Sequence, residues 1–470
     1  MEGFPDHNAD EKKESIKRFE QMLKSGKIEF MDSHVFTMIV EHYISIADYT
    51  KALNASKIAV KQYPYSIELI TLLASIYNDT GRTEEAFECI SKAEILAPQD
   101  SELMLLKGHV LVELERFDEA IETFENLLFF VEEKSEIYYH IGMAYYGKGE
   151  GDKAIEKFKL AIQEDTLNED AFFELVNILD GMDLLEDSIP FYKEFIDNDP
   201  YNYKAWYNLG IVYDRIGKYD KAIESYEFCI AIKEDFSHAY FNLGCAFMAK
   251  SEFLNAINSF NDTLKHESWK DALVFINIGH CYFELSQFDS SLKNYQKAIS
   301  LDPESYVPYF GVGRCLEKQE KWLETIHFLQ KAAKLYDKDV NVWLMLARAE
   351  YEIGNVNAAI TALINASELE PEIPEIWLDW SYILSEQGNF QKALEVLEIG
   401  IDHLSECASL YYRAVVYLFK SSKYKEAFLY LENALTLNFE KHTELFEFFP
   451  ELETQKALMK IIDQFSDRDV

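Results

Sequence analysis

Six cysteines and eleven histidines are the side chains of this 470-residue chain best suited to hold a metal or act as nucleophiles. Cys229, Cys245, Cys281 and Cys315 fall in one stretch, yet their spacings of 16, 36 and 34 residues match no zinc-ligand pattern, and no CxxC occurs. They read as small helix-packing residues and, with Cys89 and Cys407, as free thiols in a reducing cytosol. No histidine stands at a recognisable spacing from a nucleophile or carboxylate. Phosphate-binding GxxxxGKS/T, zinc-protease HExxH and hydrolase GxSxG are all missing. "GVGRC", from Gly311 to Cys315, hints at a phosphate loop but falls inside a helix of a larger pattern, where Gly313 fills a small position, and "GKGEGDK", from Gly147 to Lys153, sits where that pattern puts a turn. Carboxylates are so numerous that pairs of them carry no information. No catalytic residue, cofactor or metal is therefore expected, and the chain is not read as an enzyme.

Charge narrows the partners. With 83 acidic against 45 basic residues the net charge is −38, which opposes binding to nucleic-acid phosphates or to anionic lipid. At 48% hydrophobic the chain folds. No run of 18 apolar residues occurs, "NLLFFV" from Asn126 to Val131 being the most apolar patch, so no membrane span is expected. The first residues carry no apolar stretch of the secretory kind, and a cytoplasmic location is expected.

Aromatic residues offer the remaining chemistry, and their spacing shows what positions them. "WYNLGIVYDRIGKYDKAIESY" at Trp206 returns as "YFNLGCAFMAKSEFLNAINSF" at Tyr240, "FINIGHCYFELSQFDSSLKNY" at Phe275 and "YFGVGRCLEKQEKWLETIHFL" at Tyr309. The separations are 34, 35 and 34 residues. Twelve units follow, starting at Ser33, Ile67, Ser101, Ser135, Glu169, Tyr203, Ser237, Ala272, Tyr306, Val340, Pro374 and Ala408 and ending at Lys441. The one extra residue falls around "HESWKDA". The eighth position is small in most units, including Gly108, Gly142, Gly210, Gly244, Gly279 and Gly313, and the twentieth is Ala, Ser or Thr throughout. Apolar residues recur at helical spacing on both sides of a break such as Gly81 or Gly217, so each unit reads as a helix hairpin. The fold class is all-α.

The set Trp206, Leu209, Gly210, Tyr213, Ala222 and Tyr226, with Pro64, Pro98, Pro200, Pro303 and Pro371 sharing one later position, resembles the tetratricopeptide repeat. The resemblance covers residues 33–441, and the unit at Glu169 fits it least: Val176, Ser188 and Phe195 occupy its small positions. It implies a right-handed superhelical solenoid of stacked hairpins whose first helices line the concave side. Terminal hairpins need covers. Residues 1–32 supply a tail and helix with Ile16, Phe19, Met22 and Leu23 in a stripe. Residues 442–470 supply a broken helix pair with Ala457, Leu458, Ile461, Ile462 and Phe465 inward.

The same resemblance puts the fifth, sixth and ninth positions in the groove. The fifth is apolar from the third unit onward, through Leu105, Tyr139, Phe173, Tyr207, Phe241, Ile276, Phe310, Leu344, Leu378 and Tyr412. Asn208, Asn242 and Asn277 fill the sixth in three successive units, and an amide can both donate to and accept from a peptide backbone. This is similar to the asparagine ladder of O-linked N-acetylglucosamine transferases. Arg314 and Arg348, with His109 and His280, stand in the ninth as anchors for acidic groups. The chaperone-binding clamp of the family needs Lys in the fifth position, and no unit has one. The expected function is a non-catalytic interaction scaffold holding a peptide segment or partner protein. The alternatives are a structural or self-assembling protein whose ribbon is covered by its own chain or by a second copy, and a non-catalytic subunit of a larger complex.

Overall fold

The computed structural model describes residues 7–166, 168–266 and 271–466, and every regular element among them is a helix. The chain forms two compact units, Met1–Lys233 and Glu234–Val470. In the first, successive first helices are Ser33–Ser45, Ile67–Asp79, Ser101–Glu113, Ser135–Gly147, Glu169–Gly181 and Tyr203–Arg215. In the second they are Ser237–Ala249, Ala272–Glu284, Val307–Lys318, Val340–Glu352, Pro374–Glu386 and Ala408–Lys420. A second helix returns along each, as Phe253–His266 does on Ser237–Ala249, and within each unit second helices pack on the next first helix. This is an α-solenoid arrangement, repeated in both units. The extra residue of the "HESWKDA" turn falls at 267–270, outside the described residues.

One backbone device makes every hairpin. The residue two beyond each first helix has positive φ: five are glycines, such as Gly217 and Gly354, and seven are Ala47, Glu115, Asp183, Ser251, Ser286, Glu320 and Ser422. There the Gly217 amide donates to Asp214 O at 3.0 Å and the Lys218 amide to Tyr213 O at 2.8 Å, which closes the helix with a left-handed turn. The turn is thus imposed by the hairpin even where the residue carries a Cβ and bears about 1–2 kcal/mol of strain.

The small eighth position works with a large residue sixteen further on. A Cβ on Gly142 would lie 2.6 Å from Phe158 Cε1, and one on Gly244 would lie 2.6 Å from Phe260 Cε1. Where the eighth residue gains a methyl the partner loses its ring: Ala74 shares a core with Ile90, and Ala347 with Leu363. Both "GVGRC" glycines serve packing inside the helix Val307–Lys318: Gly313 follows this scheme with Leu329, and Gly311, at the sixth position, lies under the Tyr295 ring of the preceding hairpin. Indole N–H groups tie three of the first helices to the preceding turn. Trp206 donates to Pro200 O at 3.0 Å, Trp343 to Asp337 O at 2.8 Å and Trp377 to Pro371 O at 2.8 Å.

The hairpin at Glu169 departs from the others in its second half. A 3-10 turn, Glu186–Ser188, precedes a short helix, Ile189–Asn198, whose first turn holds Pro190. Proline has no N–H to donate, so a longer continuous helix cannot run through it. At the start, His7–Ser25 packs on Ser33–Ser45 through buried Phe19 and Met22, whereas Leu23, expected in that stripe, is 37% exposed. At the end, Glu444–Phe448 and Lys456–Ser466 pack on the final hairpin. Leu458 and Ile462 are buried there; Ala457, expected to face inward, is exposed.

Candidate functional site

Three fifth-position side chains rise from their first helices next to the large residue that fills the hairpin. In the first unit Tyr139 lies 6.0 Å from the Phe158 ring, and Tyr207 6.0 Å from Tyr226. In the second, Phe241 lies 5.6 Å from Phe260. The supporting rings are fully buried, while Tyr139, Tyr207, Phe241, Ile276 and Phe310 are half-buried and Phe173 is 57% exposed. These anchors are therefore held on one side by the core and open on the other. Large, rigid aromatic surfaces of this kind carry most of the energy in protein interfaces.

The amides differ among themselves. Asn242 and Asn277 are half-buried on the first-helix face, but Asn208 is only 7% exposed. The ninth-position cations are engaged within the second unit. Arg314 lies 4.0 Å above the Phe283 ring and 3.6 Å from Glu284, and Arg348 pairs with Glu317 at 3.2 Å. His280 lies 3.7 Å from Glu284, its Nδ1 is buried without a hydrogen-bond partner, and burial pulls the imidazole below its ordinary pKa. A cavity of about 180 Å3 opens among Arg348, Tyr351, Glu352, Asp379 and Tyr382. Asp379 is exposed, yet the protein packed around it lifts its carboxyl above the usual range, against the opposing pull of Arg348 and Arg413.

The apolar ribbon stops short of the last hairpin. Tyr412 is buried, its hydroxyl donating to Asn438 O at 2.8 Å, and Arg413 stacks 3.2 Å above Phe448. Ser409 donates to Glu444 at 3.1 Å. The segment from Asn438 to Phe449 thus occupies the face that the earlier units leave open.

Sequence spacing hid one pair. His109 and His140 are 31 residues apart, from the ninth position of one hairpin and the sixth of the next, and their Nε2 atoms meet at 3.1 Å. Burial, with His109 alongside, pulls His140 down to about 4; burial also lowers His109, against the pull of Glu136 and Glu113. Arg348 and Asp379 hold the same two positions. Reading the ninth position of each unit against the sixth of its successor would have found both.

The tetratricopeptide-repeat family pattern matches residues 67–100, 105–169, 203–236, 272–305 and 344–399. The BBSome complex member BBS4 of Xenopus tropicalis is 22% identical over 136 residues, 28% of this chain and 26% of that protein. The tetratricopeptide repeat-containing protein trd-1 of Caenorhabditis elegans is 22% identical over 143 residues, 30% of this chain and 18% of its own length. The chain therefore spans well under a third of either relative. Among solved structures, the APC/C hetero-tetramer Cut9–Hcn1 aligns over 89% of this chain and 96% of its own, at 15% identity and a TM-score of 0.37. YrrB, described as a TPR protein with an unusual peptide-binding site, aligns over 39% and 95%, at 16% identity and a TM-score of 0.35. Among the described residues no helix is long and apolar enough to cross a membrane.

Proposed function

Because the chain belongs to the tetratricopeptide-repeat family, we propose that it is a non-catalytic scaffold that holds a partner protein's extended segment along its first-helix faces. The observation that carries this reading is the open ribbon. Tyr139, Phe173 and Tyr207 in one unit, and Phe241, Ile276 and Phe310 in the other, stand on buried rings or neighbours yet keep a solvent-facing side. A side chain already fixed by its own core loses little freedom on binding, so its buried area converts efficiently into affinity. Asn242 and Asn277 beside the ribbon supply donors and acceptors for a backbone without reading its sequence. Asn208 contributes chiefly to its own hairpin, given its burial. Arg314 and Arg348 are oriented by carboxylates of neighbouring helices and present the remaining guanidinium edges to a ligand.

The test is capture of partners by wild-type protein and by a Tyr207→Ala, Phe241→Ala double variant with matched helicity. A partner held by the first and lost from the second supports the reading. Equal capture by both moves binding off this face and refutes it. If the chain captures only itself, and light scattering reports a dimer that the double variant abolishes, the ribbon is a self-association surface instead.

A further inference from the structure

We propose that His109 and His140 form a two-point binding site for one divalent transition-metal ion of the zinc class. Their Nε2 atoms face each other at 3.1 Å. Imidazole nitrogen binds such ions at about 2.0–2.1 Å, so two nitrogens this far apart can share one ion at an N–metal–N angle of roughly 100°. Opening the pair by about 0.2–0.3 Å reaches the tetrahedral value. In the hydrogen-bonded pair one ring donates its Nε2 proton to the other; on metal binding that proton moves by way of solvent to the same ring's Nδ1, so both rings stay neutral and both Nε2 lone pairs are free for the ion.

The rings are locked before any ion arrives. Phe124 is fully buried, stacks on His140 with centroids 5.5 Å apart and planes 19° from parallel, and lies 5.8 Å from His109. Phe124 is in turn seated in the space that a Cβ on Gly108 would fill, and Gly108 is the residue before His109. The size match that closes this hairpin therefore also orients both ligands. Preorganisation of this kind is what separates a site from two nearby histidines.

The pair leaves coordination positions open. Among the described residues no three or more His, Cys, Asp or Glu side chains are gathered as a metal cage. Glu136 Oε1 lies 3.7 Å from His140 Nε2, within reach of a further ligand position, and water fills the rest. Beside the rings, a cavity lined by Glu132, Glu133, Glu136, Glu164 and Glu169 concentrates cations at its mouth. Two imidazoles suit zinc, copper or nickel, whereas magnesium and calcium require a set of oxygens, which the pair does not offer.

The full chain, stripped with a chelator, is titrated calorimetrically with zinc chloride and separately with magnesium chloride. One equivalent of zinc is expected to bind, unaffected by excess magnesium. His109→Gln and His140→Gln should each weaken it at least tenfold with unchanged far-ultraviolet circular dichroism. Binding of undiminished strength in both variants assigns the ion to surface carboxylates and overturns the site; so does the lack of a one-to-one event. A readout free of mutation uses copper(II) and electron paramagnetic resonance on the wild-type chain. Coupling to two nitrogens is expected, and coupling to one or none refutes the pair.

Discussion

Replacing Gly244 with alanine should destabilise its hairpin even though alanine is the better helix former. In an exposed helix the exchange gains about 1 kcal/mol. Here the new methyl lies 2.6 Å from Phe260 Cε1 and 2.8 Å from both Cδ1 and Cζ. Phe260 has no exposed surface, and Phe241 stands 5.6 Å from it, so the ring has nowhere to move. Overpacking of this severity costs about 3 kcal/mol, for a net loss of about 2. Phe260→Leu alone leaves unfilled space and costs about 2 kcal/mol. Together the two changes recreate the Ala347–Leu363 arrangement that the chain already uses, so the double variant should fall within about 1 kcal/mol of wild type. The coupling is then about 3 kcal/mol and favourable. Stacked hairpins open locally, so hydrogen exchange of the helix Phe253–His266 is a better assay than a global melt. Gly244→Ala should speed exchange there by about thirtyfold, and the added Phe260→Leu should restore most of it. Exchange slowed by Gly244→Ala, or two single effects that simply add, would refute the size-matching argument.

The left-handed turns give a pair of opposed effects: Gly354→Ala should lose about 1 kcal/mol, and Ser286→Gly should gain up to about 1, because only the φ of that residue differs in suitability. Equal signs in thermal melts of the two variants would count against strain at this position. Acid should weaken the hairpins that carry the histidine pair. His140 has a folded pKa of about 4, below the ordinary value of 6.5, so the unfolded chain takes up a proton that the folded one refuses. The stability involved is fully present above pH 6.5 and is lost as pH falls toward 4, amounting to about 2 kcal/mol by pH 5 in metal-free protein. His109, Glu113 and Glu136 stand close by, so the measurement is the difference between wild type and His140→Gln at pH 7 and pH 5. Parallel stability profiles for the two proteins would show that His140 does not titrate as its burial requires.

The sequence by itself determined that the protein is a helical array of tetratricopeptide type. Periodicity needs no coordinates: a small residue returning every 34 positions, flanked by apolar residues at helical spacing, allows few other folds. It also showed why Trp206, Tyr213 and Tyr226 are structural, since all three recur as columns. Two columns read together, the eighth and the twenty-fourth, already contain the exchange of Gly–Phe for Ala–Leu; the meaning of that exchange became plain only once Gly244 and Phe260 were seen in contact. Tertiary structure decided what depends on which neighbour stands opposite. The burial of Asn208 beside the half-open Asn242 and Asn277 is of that kind, because one register serves all three and the fill around each differs. So is the covering of Tyr412 and Arg413 by the segment after Asn438, whose irregular turns carry no period to read. The meeting of His109 with His140 lies in the same class: a pattern along the chain records which face a residue is on, whereas the distance between faces of successive hairpins is set only when they stack.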